Sequence, residues 1–159
     1  ARDLNVQIPA LSGLLESNES HIKRAYDLIA RDGRRKVALF GLAFKPGTDD
    51  MRDSPLVALA ERLLGKGFDL AIYDSFVKLS RLLGKNKEFI EREIPHLDRL
   101  LRESPESVMH DADVLVIGHA DASVRATIIA RAQGKRIIDL SGYADLRNIP
   151  GAAYEGICW

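Results

Sequence analysis

The chain has 159 residues, enough for one domain with a sizeable core, and 46% of them are hydrophobic, which excludes a disordered chain. Lysine plus arginine and aspartate plus glutamate each total 23, so no net field favours nucleic acid or an anionic membrane surface. No apolar run approaches the ~20 residues that span a bilayer, and no basic segment followed by an apolar core opens the chain. We therefore expect a soluble, cytoplasmic protein with neither nucleic acid nor membrane as a partner.

Residues 8–30 show the pattern of an amphipathic helix. Apolar residues recur at steps of three, four and seven: Ile8, Leu11, Leu14, Leu15, Ile22, Ala25, Tyr26 and Ile29. Such a long helix must bury its apolar stripe, and two interpretations stay open. The helix packs on its own domain, or it forms a dimer interface or a connection to an upstream domain. The first residue, Ala1, is not methionine, which favours a fragment of a longer protein.

From Arg35 onward, strand-like and helix-like segments alternate. The pattern predicts strands over residues 36–40, 70–73, 114–117 and 136–140 and helices over residues 56–64, about 105–111 and 122–132. We expect irregular helix and loop over residues 76–103, and a mostly loop-like tail from Gly142 with a short edge strand. Strands separated by helices predict an α/β fold, with a parallel sheet covered by helices on both faces and preceded by the long N-terminal helix.

The loop between the first predicted strand and helix, residues 41–55, has an unusual composition. Gly41 and Gly47 allow positive φ or a close approach of the backbone to a ligand. Lys45 supplies a point charge suited to a phosphate, and Arg52 supplies a planar fork that can hold two oxygens. Because ligands bind at the carboxyl edge of the sheet in such folds, the loop favours a diphosphate-containing ligand.

An ionic turn is an equally open interpretation of the same loop. In that case Asp49, Asp50 and Asp53 pair with Lys45 and Arg52 on a solvated surface. The helix that follows is well marked, because a serine can cap it and a proline at its first position loses no useful donor: Ser54 and Pro55.

Ordinary dinucleotide binding is not supported, because the Gly-x-Gly-x-x-Gly fingerprint is absent after the first strand. Asp74, at the end of the second strand, resembles a ribose-binding acid, but a capping or turn role is favoured. Asp139 and Ser141 end another strand near the expected ligand edge, and nothing in the sequence assigns them a role.

Metal and cysteine chemistry are also not supported. The four histidines, His21, His96, His110 and His119, show no metal-ligand spacing, and we interpret them as surface or loop residues. Cys158 is the only cysteine and has no recognisable base beside it, so we predict an inert thiol. Trp159 is predicted to dock on its own domain, with stacking on a base as the alternative.

The segment from Gly41 to Pro55 closely resembles the nucleotide-sugar 6-dehydrogenases, the UDP-glucose/GDP-mannose dehydrogenase family. The resemblance implies that residues 1–33 are the end of a central helix that builds a homodimer. It implies that residues 34–159 are a C-terminal Rossmann-like domain that binds the sugar nucleotide. The arrangement of the whole chain and its ending, residues 155–159, favour GDP-mannose over UDP-glucose as that sugar nucleotide.

The resemblance also implies roles for four residues. Lys45 would contact the sugar nucleotide, with Phe44 and Leu42 lining its pocket, and Arg52 would reach NAD, which is bound mainly by an N-terminal domain absent from this chain. The family oxidises the C6 alcohol of the sugar to a carboxylate in two hydride transfers, through intermediates linked to a cysteine.

No counterpart of that nucleophile occurs in this chain, and Cys158 lies in the wrong context. We therefore expect no catalytic residue here and no turnover by this chain alone. The resemblance implies that the parent protein converts GDP-mannose to GDP-mannuronate for a polysaccharide route such as alginate synthesis. A UDP-glucose-specific domain and a non-catalytic nucleotide-binding or interaction module remain alternatives.

Overall fold

The computed structural model describes residues 9–77 and 97–157. The helices are α1 (Pro9–Ala30), α2 (Pro55–Gly65), α3 (Leu97–Leu100), α4 (Pro105–Met109) and α5 (Ala122–Arg131), with a 3-10 turn at Ala144–Leu146. The strands are β1 (Lys36–Phe40), β2 (Asp69–Tyr73), β3 (Val114–Ile117), β4 (Arg136–Asp139) and β5 (Ala153–Gly156). In this part of the chain, no helix is long and apolar enough to cross a bilayer.

The five strands form one parallel sheet in the order β2-β1-β3-β4-β5. This confirms the predicted α/β fold and the edge strand in the tail. From β1, the chain continues to β2 on one side of the sheet and then to β3, β4 and β5 on the other side. The carboxyl ends of β1 and β3 therefore border the crevice where the strand order reverses. Ligands bind at this point in open α/β sheets.

The helices cover both faces of the sheet, as predicted. Along β1, Val37 and Leu39 pack into the core on the side of α1 and α2, whereas Ala38 and Phe40 pack into the core on the side of α4 and α5. All four residues are at most 1% exposed. The alternation follows from the two-residue period of a strand, and it explains why a strand buried on both faces reads as a continuous apolar run.

Several predicted boundaries shift by one or two residues. The last predicted strand ends at Asp139, and the helix expected through Asp111 ends at Met109, where His110 caps it. Within the segment expected to be irregular, α3 and a single parallel bridge from Leu101 to Ile72 are observed. The rest of that segment, residues 78–96, lies outside the described residues, and so do Cys158 and Trp159.

The described part of the apolar stripe of α1 packs on its own domain. Ala25 and Ile29 are buried in the core, and Ile22 and Tyr26 pack against it. The first of the two interpretations of this helix is therefore confirmed for these residues. The homodimer stays a prediction, and this part of the stripe does not support it.

A buried arginine fixes the end of α1 to the sheet. Arg136 in β4 donates to the backbone carbonyl of Leu28 at 2.6 Å and to the carboxylate of Glu155 in β5. Glu155 also accepts from Arg31, just after α1. Burial raises the pKa of Glu155, but the hydrogen bonds from Arg31 and Arg136 outweigh it, and the pKa lies below its usual value.

Candidate functional site

The loop from Gly41 to Asp53 leaves the carboxyl end of β1 at the sheet crevice. Gly41 has a φ of +87° and Gly47 a φ of +79°, so both glycines adopt the conformations that the sequence predicts. Asp53 has a φ of +55°, the one non-glycine residue with positive φ among the described residues. An aspartate tolerates this left-handed conformation better than most residues, and here it turns the chain directly into the cap of α2.

The root of this loop is held by hydrogen bonds to buried polar groups. The backbone N–H groups of Leu42 and Ala43 donate to one carboxylate oxygen of Asp74, at 2.8 and 3.2 Å. The hydroxyl of Ser54 donates to the carbonyl of Leu42 at 2.8 Å and accepts the N–H of Leu56 at 3.2 Å. The predicted cap of α2 is confirmed, and the same serine closes the loop on itself.

Asp74 has the turn role that the sequence favours. Its second carboxylate oxygen accepts the backbone N–H groups of Phe76 and Val77, at 2.9 and 3.3 Å. The side chain is buried, so both of its oxygens are turned toward the protein. This carboxylate joins the loop after β1 to the loop after β2, and no oxygen faces outward to hold a ribose.

Lys45 and Arg52 line the same cavity, which we call the charged cavity. Its volume is about 430 Å³, and its lining residues are Phe44, Lys45, Thr48, Asp50, Arg52 and Asp53. The ammonium of Lys45 lies 5.9 Å from the centre of the Phe44 ring. The structure therefore brings together two cations, two carboxylates and an exposed aromatic ring. The cations and the ring are the groups that can meet an anionic ligand with a planar part.

The ionic-turn interpretation is confirmed for one pair in this loop. Two nitrogens of the Arg52 guanidinium donate to the two carboxylate oxygens of Asp50, at 2.8 and 2.6 Å. This hydrogen bonding by Arg52 lowers the pKa of Asp50 to about 2, and the carboxylate in turn raises the pKa of Arg52. Because the pair is exposed, its main effect is to orient the guanidinium rather than to stabilise the fold.

A second cavity, which we call the apolar cavity, shares Phe44 with the charged cavity and has a volume of about 350 Å³. The end of α1, the loop, α2 and the residues after β3 and β4 line it, including Ile22, Leu56, Gly118 and Ser141. Gly118 is packed so closely that a Cβ would lie 2.5 Å from the Leu56 side chain. The volume of the apolar cavity and its mostly apolar lining are typical of a site for a small organic molecule.

Leu42 does not face either cavity. Its side chain is fully buried in the core, and both its backbone N–H and its carbonyl are hydrogen-bonded within the protein. In the structure, Leu42 anchors the loop that carries Phe44 and Lys45. A direct contact of Leu42 with a ligand stays a prediction.

One residue of this site was missed by reasoning from the sequence. The sequence predicts a surface or loop residue at His119. It does lie in the loop after β3, but its side chain is only 12% exposed and borders the apolar cavity. The described His21 and His110 are exposed, as expected. No group of metal-ligating side chains occurs among the residues that the structure describes. The sequence signal that could have identified His119 is its position directly after a buried strand, at the point where the strand order reverses.

Asp139 and Ser141, which had no assigned role, are structural at the end of β4. Asp139 is fully buried and accepts the backbone N–H groups of Ser141, Gly142 and Tyr143 and the hydroxyl of Tyr154. Burial and the hydrogen bond to Asp139 raise the pKa of Tyr154. The Ser141 hydroxyl donates to the carbonyl of Gly118, which links the loops after β3 and β4.

Comparison with known proteins identifies relatives along the whole chain. A family model described as "UDP-glucose/GDP-mannose dehydrogenase family, UDP binding domain" matches residues 38–149. The chain is 47% identical over 159 residues to GDP-mannose 6-dehydrogenase of Pseudomonas savastanoi pv. phaseolicola, covering 100% of this chain and 36% of that protein. It is 46% identical over 155 residues to GDP-mannose 6-dehydrogenase of Azotobacter vinelandii, covering 98% and 35%. The chain thus spans about a third of the length of these relatives.

Solved structures agree with this comparison. A ternary complex of GDP-mannose dehydrogenase from Pseudomonas aeruginosa superposes with a TM-score of 0.81 at 43% identity, covering 100% of this chain and 36% of that one. A UDP-glucose dehydrogenase from Pyrobaculum islandicum superposes with a TM-score of 0.71 at 25% identity, covering 99% and 34%. On the family match, the identity and the shared fold together, this chain belongs to the UDP-glucose/GDP-mannose dehydrogenase family and corresponds to its C-terminal UDP-binding domain.

Proposed function

We propose that this chain is the sugar-nucleotide-binding domain of an NAD-dependent GDP-mannose 6-dehydrogenase, with GDP-mannose and GDP-mannuronate as ligands. The observation that carries the proposal is that the charged cavity and the apolar cavity share Phe44 in their lining. A diphosphate needs cations and a nucleoside needs an apolar slot, and the two cavities adjoin at the carboxyl edge of the sheet. The relatives that match the full chain carry the corresponding name.

Within this proposal, Lys45 binds the diphosphate and Phe44 contacts the planar part of the nucleotide. Lys45 is exposed and lies beside the Phe44 ring, so its ammonium can turn toward an anion without breaking a buried contact. Leu42 contributes indirectly, because its buried side chain holds the loop in place. We expect Lys45→Ala to weaken the sugar nucleotide by about 1.5 to 3 kcal/mol, the usual effect of losing a charge-assisted hydrogen bond.

Arg52 is proposed to contact NAD. Its guanidinium is exposed and is oriented by Asp50 through two nitrogens, which leaves an oriented cation at the rim of the charged cavity. This arrangement fits the anionic diphosphate of a dinucleotide, and the absence of a glycine fingerprint here agrees with a cofactor held mainly by another domain. NAD supplies the hydride acceptor when bound. In the full-length enzyme, Arg52→Ala should raise the KM for NAD, and an effect confined to the sugar nucleotide would refute this division.

The complete reaction is proposed for the parent protein and not for this chain alone. Oxidation of a primary alcohol to a carboxylate removes four electrons, so two NAD molecules are reduced in each turnover. No cysteine lines either cavity among the residues that the structure describes. We place the parent enzyme in the cytoplasm, in a polysaccharide precursor route of the alginate type. A homodimer through the N-terminal helix stays part of the proposal, and a monomeric mass by light scattering at high concentration would contradict it for this chain.

Calorimetric titration of the folded chain with GDP-mannose, GDP and UDP-glucose tests the binding proposal. We expect the two guanine nucleotides to bind, and we expect Lys45→Ala to weaken both. The matched control is Lys66→Ala, which removes an exposed lysine beyond the end of α2, at the opposite edge of the sheet. Absence of guanine-nucleotide binding to the folded chain, or equal losses in the two variants, would count against the proposal.

A UDP-sugar enzyme is the second candidate. The description of the family domain as UDP-binding favours it, as does 39% identity over 84 residues to UDP-glucose 6-dehydrogenase of Pseudomonas aeruginosa, covering 52% of this chain and 17% of that protein. Stronger binding of UDP-glucose than of GDP-mannose in the same titration would support this candidate. Binding of neither nucleotide would favour a non-catalytic interaction module.

A further inference from the structure

We propose that His119 is a positioning residue, which holds the loop from Gly41 to Asp53 in the conformation that presents Phe44 and Lys45 to the ligand. His119 follows β3, across the crevice from that loop. Its ring nitrogen Nε2 lies 3.1 Å from the carbonyl oxygen of Ala43, the residue directly before Phe44. A carbonyl oxygen can only accept, so this contact requires a proton on Nε2.

The backbone of His119 is fixed independently of its side chain. The N–H groups of Gly118 and His119 both donate to the carbonyl of Phe40, at 2.9 and 3.1 Å, which pins the start of this loop against the end of β1. The ring therefore reaches Ala43 from a rigid base. A side chain held in this way can transmit position to the loop that it contacts.

Gly41 provides the room that this contact needs. A Cβ on Gly41 would lie 2.7 Å from the Cγ and Nδ1 atoms of the His119 ring, closer than real Cβ contacts. The ring thus lies directly over the backbone of Gly41 while its far edge bonds to Ala43. The absence of a side chain at residue 41 serves the packing of His119 as well as the positive φ.

The contact completes the hydrogen bonding at the root of the loop. The two backbone N–H groups at Leu42 and Ala43 are bound by Asp74, and the carbonyl of Leu42 is bound by Ser54. The carbonyl of Ala43 is the remaining backbone group, and His119 binds it. The Nε2 atom also lies 3.7 Å from the nearer oxygen of Asp74, so one buried carboxylate faces both the loop and the ring.

His119 also stands between two cavities. It borders the apolar cavity and also a cavity of about 280 Å³ whose lining includes Pro46, Tyr73 and Phe76. A non-donating side chain at this point frees the carbonyl of Ala43, and a smaller side chain also joins the two cavities. We expect that Phe44 and Lys45 are then no longer held in the position that binds the ligand. This part of the inference rests on the proposed nucleotide function.

The test compares two substitutions that keep the bulk of the ring or its donor. His119→Phe keeps a planar ring without a donor, and His119→Gln keeps an N–H donor at a similar reach. We expect His119→Phe to accelerate amide hydrogen exchange at residues 42–44 and to weaken GDP binding about tenfold, the effect of losing roughly one hydrogen bond. The GDP affinity of His119→Gln should stay within about threefold of that of the unmodified chain. His110→Phe, at an exposed histidine, is the matched control.

A measurement on the unmodified chain does not depend on whether a variant folds. Nitrogen-15 NMR of the His119 ring should show the tautomer protonated at Nε2. An unprotonated Nε2 would overturn the proposal, as would unchanged exchange and unchanged GDP affinity in His119→Phe. Equal losses in Phe and Gln would also overturn it, because they would show a role in packing alone. If the unmodified chain fails to bind GDP, the proposed nucleotide function is wrong. The amide hydrogen exchange of His119→Phe and the tautomer of the His119 ring still test the role of His119 in that case.

Discussion

Asp74→Asn removes the charge that joins the two loops at the carboxyl edge of the sheet. The side chain is fully buried, and its carboxylate accepts four backbone N–H groups, at distances of 2.8, 3.2, 2.9 and 3.3 Å. Two of these donors follow β1 and two follow β2. Asparagine has almost the same shape, so the substitution changes hydrogen bonding and charge without opening a cavity.

The expected loss follows from counting donors. An asparagine has one oxygen that can accept, so two of the four N–H groups keep a partner and the other two face its NH2 group. Hydrogen bonds to charged groups contribute about 1.5 to 3 kcal/mol each, so Asp74→Asn should lower the free energy of unfolding by about 3 to 6 kcal/mol. That is a large part of the ~5 to 15 kcal/mol that stabilises an ordinary domain.

Urea denaturation monitored by circular dichroism measures this difference directly, because the midpoint shifts while the slope stays nearly constant. The matched control is Asp27→Asn, which removes an exposed carboxylate that pairs with Lys23 at i,i+4 spacing, and it should cost less than about 0.5 kcal/mol. A loss below about 1 kcal/mol for Asp74→Asn would contradict this role of the carboxylate. It would mean that the Asp74 carboxylate is not the group that holds the two loops together.

Three further outcomes follow from the same contacts. Arg52→Ala should raise the pKa of Asp50 from about 2 toward its usual value, measured by carboxyl NMR titration. The Asp50 contribution to stability is present above its ordinary pKa and is lost as the pH falls toward 2, and the variant should lack this acid-side loss; an unchanged pKa would contradict the pairing. Ser54→Ala should cost about 2 to 3 kcal/mol by urea denaturation, since it removes a helix cap and leaves a buried carbonyl without its partner. Tyr154→Phe should cost about 1 kcal/mol, because Asp139 keeps its three backbone partners, and a loss as large as that of Ser54→Ala would contradict this order.

Much of the fold was predictable from local signals. The buried strands appear as short apolar runs such as residues 37–40, and the start of α2 follows from the serine and proline at residues 54 and 55. These signals act between residues that are close in sequence, where the backbone geometry is fixed by the element itself. The alternation of strands and helices then leaves few topologies, which is why the parallel sheet was expected.

The partners of the buried polar groups were not predictable in the same way. Asp74 meets Leu42 across 32 positions in the chain, His119 meets Ala43 across 76, and Arg136 meets the carbonyl of Leu28 across 108. Each pairing depends on which strands lie side by side, and spacing along the chain carries no signal for it. In the loop itself, the sequence left the ionic turn and the ligand site as equal alternatives, and the Arg52–Asp50 pair is compatible with both.

In the proposed function, the loop from Gly41 to Asp53 binds the diphosphate of a guanine nucleotide. Titration of GDP into the isotope-labelled chain, followed by amide NMR, tests this most directly. We expect saturable shifts at Phe44 and Lys45 and in the residues that line the apolar cavity, with an affinity at least about tenfold lower in Lys45→Ala. Shifts confined to the amino edge of the sheet around Lys66, or an affinity unchanged in Lys45→Ala, would contradict it.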